Sequence, residues 1–300
     1  MPTSPSRRAP LTSARALATG LLAVLIVAGC GAFGSGSSPS PNPSLPPNAA
    51  FLLRASLVQA LPPPSSFALL PNVVITVDGR VLTGGAVEAI FPGPLVYPVN
   101  QRPISAKGWS TIVAAAREAG LLAGNGDFTG GSLAPGAAVA RLQLVADGKL
   151  YDLKGVPQKT FNCIAAPCIP PAGSPEAFGL FWNKLTGLDA WIPNELGREV
   201  GHAPSGYAVL VTKPQTDPNL PQPAKAWPLA AGFKAFGKPL ADGSGGRCGV
   251  VTGADAATLQ PLFQSANQLT PWTDPADGSP HGLVVRVLLP GDEDPCAGLV

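Results

Sequence analysis

Two Asp-Gly dipeptides, each between short runs of apolar and β-branched residues, constrain the fold of this chain most strongly. The first lies in "NVVITVDGRVL" at 72–82 and the second in "VARLQLVADGKLYDL" at 139–153. This dipeptide is a strong signal for a tight β-hairpin, because both of its residues tolerate positive φ angles. Hairpins join antiparallel strands, so we expect an antiparallel sheet. Further strands are predicted at 54–60, 207–212 and 282–289.

Two segments have the apolar spacing of helices and a clear start signal. In "SAKGWSTIVAAAREAGLLAG" the side chain of Ser105 stands where an N-cap is expected, which predicts a helix over 106–122. In "GSPEAFGLFWNKLTGL" the N-cap Ser174 is followed by Pro175, which predicts a helix over 174–186.

A third segment, "TGADAATLQPLFQSANQLT", also has helical spacing but contains Pro261. Proline inside a helix removes a hydrogen bond, so we expect either a late start near Thr258 or a kink.

The fold class that follows is α+β: an antiparallel sheet built from hairpins with about three packed helices. The chain is loop-rich, since it contains 35 glycines and 36 prolines in 300 residues, yet its 45% hydrophobic content is typical of a folded domain. We expect one domain over 51–300. It divides into hairpin–helix units at about 51–130 and 131–212, followed by a C-terminal segment held by a disulfide.

The first 29 residues are typical of a secretory signal peptide. A leader with three arginines and no acidic residue precedes an apolar run over 16–28, which is too short for a stable membrane span. The "SRR" of the leader also fits a twin-arginine signal, so the export route stays open. Residues 31–50 are mostly Gly, Ser, Pro and Asn, and we expect them to form a tether.

The end of the apolar run, "VAGC" at Val27–Cys30, resembles the lipobox of bacterial lipoproteins. The resemblance implies cleavage before Cys30 and attachment of lipid to its sulfur, so that the protein is extracytoplasmic and bound to the membrane. An ordinary signal peptide with an unrelated cysteine is the alternative. The segments "SPEAFGLFWNKL", "LTPW" and "VRVLLPGDEDPC" are similar to uncharacterised bacterial lipoproteins, a resemblance that implies no activity.

Four cysteines remain after Cys30, an even number that suits disulfides in an exported protein. They allow three pairings, of which we favour Cys163–Cys168 and Cys248–Cys296. Zinc is the alternative, but zinc sites favour closely spaced pairs such as C-x2-C, and the spacing here is C-x4-C with two distant partners.

Charge and motifs exclude several classes of partner. A net charge of +2 with 13% charged residues provides no basic field for nucleic acid. "GSGG" and "TGGSLAPG" lack the ending of a phosphate loop, and the acidic turns at 274–278 and 291–295 do not match an EF-hand. We therefore assign no cofactor and no metal.

No catalytic residue can be assigned from the sequence. His202 and His281 lie in polar loops, where a histidine is usually solvated. Ser105 and Lys107 resemble a serine–lysine pair, but the capping role explains Ser105 better.

Three tryptophans lie near proline in predicted loops, where aromatic rings can form a surface for sugars or peptides. They are Trp191, Trp227 and Trp272. In a domain with long loops such rings more often pack the loops onto the core, and a binding surface is the other interpretation. The sequence therefore favours a membrane-anchored binding or envelope-interaction module, with an envelope protein or glycan as partner; the alternative is an extracytoplasmic hydrolase.

The lipid anchor gives a direct test. We expect Cys30→Ser to release the protein from the membrane fraction, because the acylated sulfur is lost. Cell fractionation with mass spectrometry of the mature amino terminus measures this. An unmodified amino terminus, or a Cys30→Ser protein that stays on the membrane, would contradict the anchor.

Overall fold

A computed structural model describes residues 46, 49–58, 61, 65–131, 136–157 and 169–300. Within these ranges the chain forms an α+β fold, as predicted, and it has two sheets and four α-helices where one sheet and about three helices were expected. The predictions for the leader, for Cys30 and for the pair Cys163–Cys168 lie outside the described residues, as does most of the tether.

The first sheet has eight strands. They are β1 (Phe51–Val58), β2 (Val73–Thr76), β3 (Arg80–Gly84), β4 (Val99–Pro103), β5 (Gly126–Phe128), β6 (Val139–Ala146), β7 (Lys149–Gly155) and β8 (Val200–Gly201). Their spatial order is β5-β7-β6-β1-β2-β3-β4-β8. Every pair is antiparallel except β5 with β7.

Both predicted hairpins lie in this sheet, but their turns differ. Asp147 and Gly148 both have positive φ angles, as the two-residue turn between β6 and β7 requires. In the β2–β3 turn only Gly79 is positive. That loop has three residues, and the hydroxyl of Thr76 holds it by accepting from the backbone N–H of Arg80 at 3.0 Å.

The second sheet has six strands. They are β9 (Gly206–Thr212), β10 (Lys225–Ala226), β11 (Lys238–Pro239), β12 (Arg247–Thr252), β13 (Trp272–Thr273) and β14 (Pro280–Val287), in the spatial order β10-β13-β14-β9-β12-β11. The predicted strands at 207–212 and 282–289 are therefore neighbours in it. The division into two hairpin–helix units stays a prediction. Both hairpins lie in the first sheet, whereas the end of the second predicted unit, residues 206–212, forms a strand of the second sheet.

Helices α1 (Ala106–Glu118) and α2 (Pro175–Thr186) confirm the two predicted caps. The hydroxyl of Ser105 accepts from Gly108 N–H at 3.0 Å, and that of Ser174 accepts from Ala177 N–H at 3.1 Å. A short helix, α3 (Leu188–Trp191), follows α2 directly and was not predicted.

Helix α4 (Gly253–Gln264) corrects the prediction of a late start near Thr258. The helix begins five residues earlier and keeps Pro261 inside it. Its buried residues Ala256, Leu259 and Phe263 pack against the second sheet, and this packing outweighs the lost backbone hydrogen bond.

Both faces are buried at the centre of the first sheet, along β2 and β3. On one face, Val73, Ile75 and Val81 join a core with the inner sides of α1 and α2. On the other face, Val74 and Leu82 join a second core with one face of the second sheet and with α4. Successive side chains along β2 and β3 point to opposite faces, so these two strands contribute residues to both cores.

A small third core covers the outer face of the second sheet. Ala208 and Leu210 of β9 pack there with Phe67 and with the Cys248–Cys296 disulfide. This disulfide was predicted, and it closes a separation of 48 residues. In the chain-entropy model such a loop contributes about 4 kcal/mol. It fastens the C-terminal segment to β12.

A buried ion cluster links the two sheets. The carboxylate of Asp292, only 3% exposed, lies 2.6 Å from an Nη atom of Arg54 on β1 and 3.4 Å from one of Arg286 on β14. It also accepts from Leu289 N–H at 2.9 Å, and Arg54 donates to the carbonyl of Pro290 at 2.8 Å. Burial lowers the pKa of the Arg286 guanidinium.

Removing this carboxylate should destabilise the protein strongly. We expect Asp292→Asn to lower the free energy of unfolding by about 3 kcal/mol or more, because two buried guanidinium groups lose their counter-charge. Urea unfolding measures the change. Asp147→Asn is the matched control, since Asp147 pairs with Arg117 on an exposed surface and such pairs contribute less than about 1 kcal/mol. Equal small losses in both variants would contradict the role of Asp292.

Candidate functional site

A groove of about 610 Å³ lies on the helical layer, between α1 on one side and α2 with α3 on the other. Its volume is in the range of small-molecule and peptide side-chain pockets. It is lined by Ala115, Glu118, Ala119, Ile169, Pro170, Ala177, Leu180, Phe181, Asn183, Lys184, Gly187, Ala190 and Trp191. Four of these residues are alanines, and their small side chains leave the space between the helices open.

The end of α1 positions one wall of the groove. Gly120 has a φ of +70°, and a Cβ on it would lie 2.5 Å from the backbone nitrogen of Gly173. The same close approach lets Gly173 N–H donate to the carbonyl of Ala119 at 2.8 Å. Only glycine fits at this position. The segment that carries Ile169 and Pro170 is thereby held against the end of α1.

Trp191 forms the opposite wall. Its ring stands edge-on to Phe181, with centroids 6.2 Å apart, and the ammonium of Lys184 lies 5.4 Å from the ring centroid. The distance is within the range of a cation–π contact. Trp191 is half-buried, so part of its ring is open to the groove. This tryptophan of the predicted binding surface therefore lines a cavity.

The rim of the groove carries two exposed apolar side chains, Ile169 and Leu180, which are 69% and 39% accessible. Sequence reasoning missed both. The available signal was Leu180, a leucine on α2 outside the apolar face formed by Phe178, Phe181 and Leu185. Such a residue on the outer side of an amphipathic helix indicates a surface that is open to a partner.

Trp227 and Trp272 correct the predicted binding surface, because both are buried, at 2% and 0% exposure. Their rings lie 6.2 Å apart in the second core, and Phe233 contacts Trp227 at 4.8 Å. Trp227 packs on Phe233 and Phe236 of its own loop, whereas Trp272 packs on Trp227 and on Phe263 of α4, so both rings lie in the core. Neither is accessible to a sugar or a peptide.

His202 is held by β4. Its Nδ1 lies 2.9 Å from the side-chain oxygen of Gln101, which also accepts from Arg80 at 3.3 Å. Burial, and then the charge of Arg80, lowers the pKa of His202. No carboxylate of the described chain is within hydrogen-bond distance of this ring in the structure. The contacts are those of a structural histidine.

His281 lies beside a serine and an aspartate in an order unlike that of a catalytic triad. Its Nε2 is 3.1 Å from Ser279 Oγ, and that hydroxyl donates to Asp277. Hydrogen bonds from Ser279 and Lys234 hold the pKa of the Asp277 carboxyl well below its usual range. In a triad the carboxylate orients the histidine, and the serine hydroxyl directs its proton to that histidine. Here the serine proton is directed to the carboxylate instead.

Ser105 is the N-cap of α1, and its hydroxyl donates to the carboxylate of Glu195. Lys107 lies 3.1 Å from the other oxygen of that carboxylate. The hydroxyl and the ammonium thus share a common acceptor. This arrangement fixes the start of α1 and does not activate Ser105 as a nucleophile.

Comparison with models of known protein families, with curated protein sequences and with solved structures finds no match to this chain. In the described ranges, no helix has both the length and the apolar character needed to cross a bilayer. The same part of the chain contains no group of three or more His, Cys, Asp or Glu side chains placed to hold a metal ion. The groove is the candidate site because it combines a concave apolar lining with the exposed side chains of Ile169 and Leu180.

The two buried tryptophans differ in one hydrogen bond, which gives a test of their packing. The indole N–H of Trp227 donates to the carbonyl of Ala231 at 3.0 Å, whereas that of Trp272 has no acceptor among the described residues. We expect Trp227→Phe to be more destabilising than Trp272→Phe by about 1 kcal/mol, because only the first leaves a carbonyl unpaired. Denaturant unfolding measures both, and equal or reversed losses would contradict the assignment.

Proposed function

We propose that this protein is a membrane-anchored, extracytoplasmic lipoprotein that acts as a binding module, and that its partner binds in the helix groove. The observation that carries the proposal is the groove itself: an apolar floor between helices, the accessible ring of Trp191, and the exposed side chains of Ile169 and Leu180 at the rim. Large apolar side chains exposed beside a concave surface are typical of interaction sites.

The lining favours an apolar segment of a partner protein over a glycan. Sugar hydroxyl groups need many hydrogen-bonding partners, and the described lining offers three polar side chains, Glu118, Asn183 and Lys184, among ten other residues. The alanine floor and the aromatic wall instead suit branched or aromatic side chains. Glu118 on α1 and Lys184 on α2 provide one charge of each sign at the edge, where they would orient the partner.

The arrangement of polar groups supports binding rather than hydrolysis. Ser105, His202 and His281 each have neighbours that account for them structurally, and none of the three lines the groove. Among the described residues that line the groove there is no histidine, cysteine or serine, the residues that commonly act as nucleophile or base.

Substitutions at the rim test the proposal. We expect Ile169→Gln with Leu180→Gln to reduce capture of the partner from native envelope extract by about tenfold or more, since both exposed apolar side chains would be buried when a partner enters the groove. The mature protein is the bait, and quantitative mass spectrometry of bound proteins and glycans is the measurement.

Leu150→Gln with Val250→Gln is the matched control, because both residues are 45% exposed and neither lines the groove. Capture that falls equally in the control pair would contradict a specific groove. Capture of a glycan that survives the rim substitutions would contradict the proposed class of partner.

A further inference from the structure

We infer that the loop joining β3 to β4 contacts the lipid bilayer, with Ile90 and Phe91 inserted at the level of the headgroups. The inference rests on the proposed function, because the lipid anchor brings the body to the membrane. It concerns a surface distinct from the helix groove, since no residue of this loop lines the groove.

The outer part of this loop, residues 86–91, is the apolar tip. All six residues, "AVEAIF", are exposed. Ile90 and Phe91 are 62% and 64% accessible, and Val87 is 39% accessible. Single exposed apolar residues are common on protein surfaces, but two adjacent large ones beside a third in a six-residue stretch are not explained by the core.

The base of the loop is fastened to the body. Gln268 N–H donates to the carbonyl of Gly93 at 3.0 Å, and the Gln268 side chain accepts from Gly93 N–H at 3.3 Å. Leu95, which is buried, donates from its N–H to the carbonyl of Ala266 at 3.1 Å. The tip is thus presented on a held base, so insertion would require little further ordering of the loop.

The composition of the loop indicates a bilayer rather than an anionic ligand. Between Gly84 and Val99 the sole charged residue is Glu88, so attraction to anionic headgroups cannot drive the contact. Phenylalanine and large aliphatic side chains are the residues by which proteins enter the interface between headgroups and acyl chains. The contact should therefore be independent of headgroup charge and of salt.

The anchor makes so small a contact effective. Two or three inserted side chains bind a bilayer weakly on their own, but a tether converts the contact into an intramolecular event at high effective concentration. Residues 31–50 can extend about 60 Å. The loop leaves the sheet level with Ser56, roughly 17 Å along β1 from Phe51, which the tether can span.

Fluorescence quenching by brominated lipid tests the contact. The full-length gene product is purified from membranes and reconstituted in vesicles of phosphatidylcholine, with or without bromine on the acyl chains. Phe91→Trp places a reporter at the tip, and Leu150→Trp places one at an exposed site in the β6–β7 hairpin. The wild-type protein gives the background of its own tryptophans. We expect brominated chains to reduce the added Phe91→Trp emission about twofold and to leave that of Leu150→Trp unchanged.

Quenching of Phe91→Trp no greater than that of Leu150→Trp would overturn the inference, whether both are quenched or neither is. Loss of the Phe91→Trp quenching at high salt would overturn it as well. Because the vesicles contain no other protein, a partner cannot produce the signal. Mass spectrometry of the purified protein and its flotation with vesicles report the anchor separately, so failure of the lipoprotein proposal is distinguished from failure of the tip.

Discussion

Strands β2 and β3 at the centre of the first sheet are apolar on both faces, and the placement of the helices and of the second sheet follows from covering them. Val73 and Ile75 point to one side of β2 and Val74 to the other, so a single layer of cover would leave one set in water. Helices α1 and α2 cover the first face, and the second sheet with α4 covers the other. The helix groove exists because the first cover is made of helices with alanines between them.

The helix groove and the apolar tip of the β3–β4 loop are the two surfaces proposed to act in binding, and the exposed side chains of both lie outside the cores. The groove is open at the rim, where Ile169 and Leu180 reach solvent, while Phe181 beneath it is buried. The apolar tip projects from a strand connection whose base is hydrogen-bonded to the body. Both therefore combine exposed apolar side chains with a rigid support, which reduces the entropy lost on binding.

Local chemistry made much of the fold predictable from the sequence. The caps at Ser105 and Ser174, the Asp147-Gly148 turn and the Cys248–Cys296 disulfide all depend on near neighbours or on simple counting. Tertiary packing decided the rest. Pro261 is tolerated because α4 packs on the second sheet, and Trp272 is buried because distant aromatic residues surround it. The groove could not be predicted, because its walls come from three helices and no local sequence pattern indicates that these helices pack together. Of its lining residues, the sequence analysis named only Trp191 as a candidate for binding.

The Asp292 cluster also bears on the order of events during folding. Arg54 and Asp292 are separated by 238 residues, and β14, which lies beside β9 in the middle of the second sheet, is the last strand of the chain. Contacts of such long range close large loops and slow folding. Until β14 and Asp292 have joined the fold, the guanidinium of Arg54 on β1 lacks its counter-charge and the second sheet lacks an interior strand. The described body therefore completes its fold only after β14 and the segment that carries Asp292 have joined it.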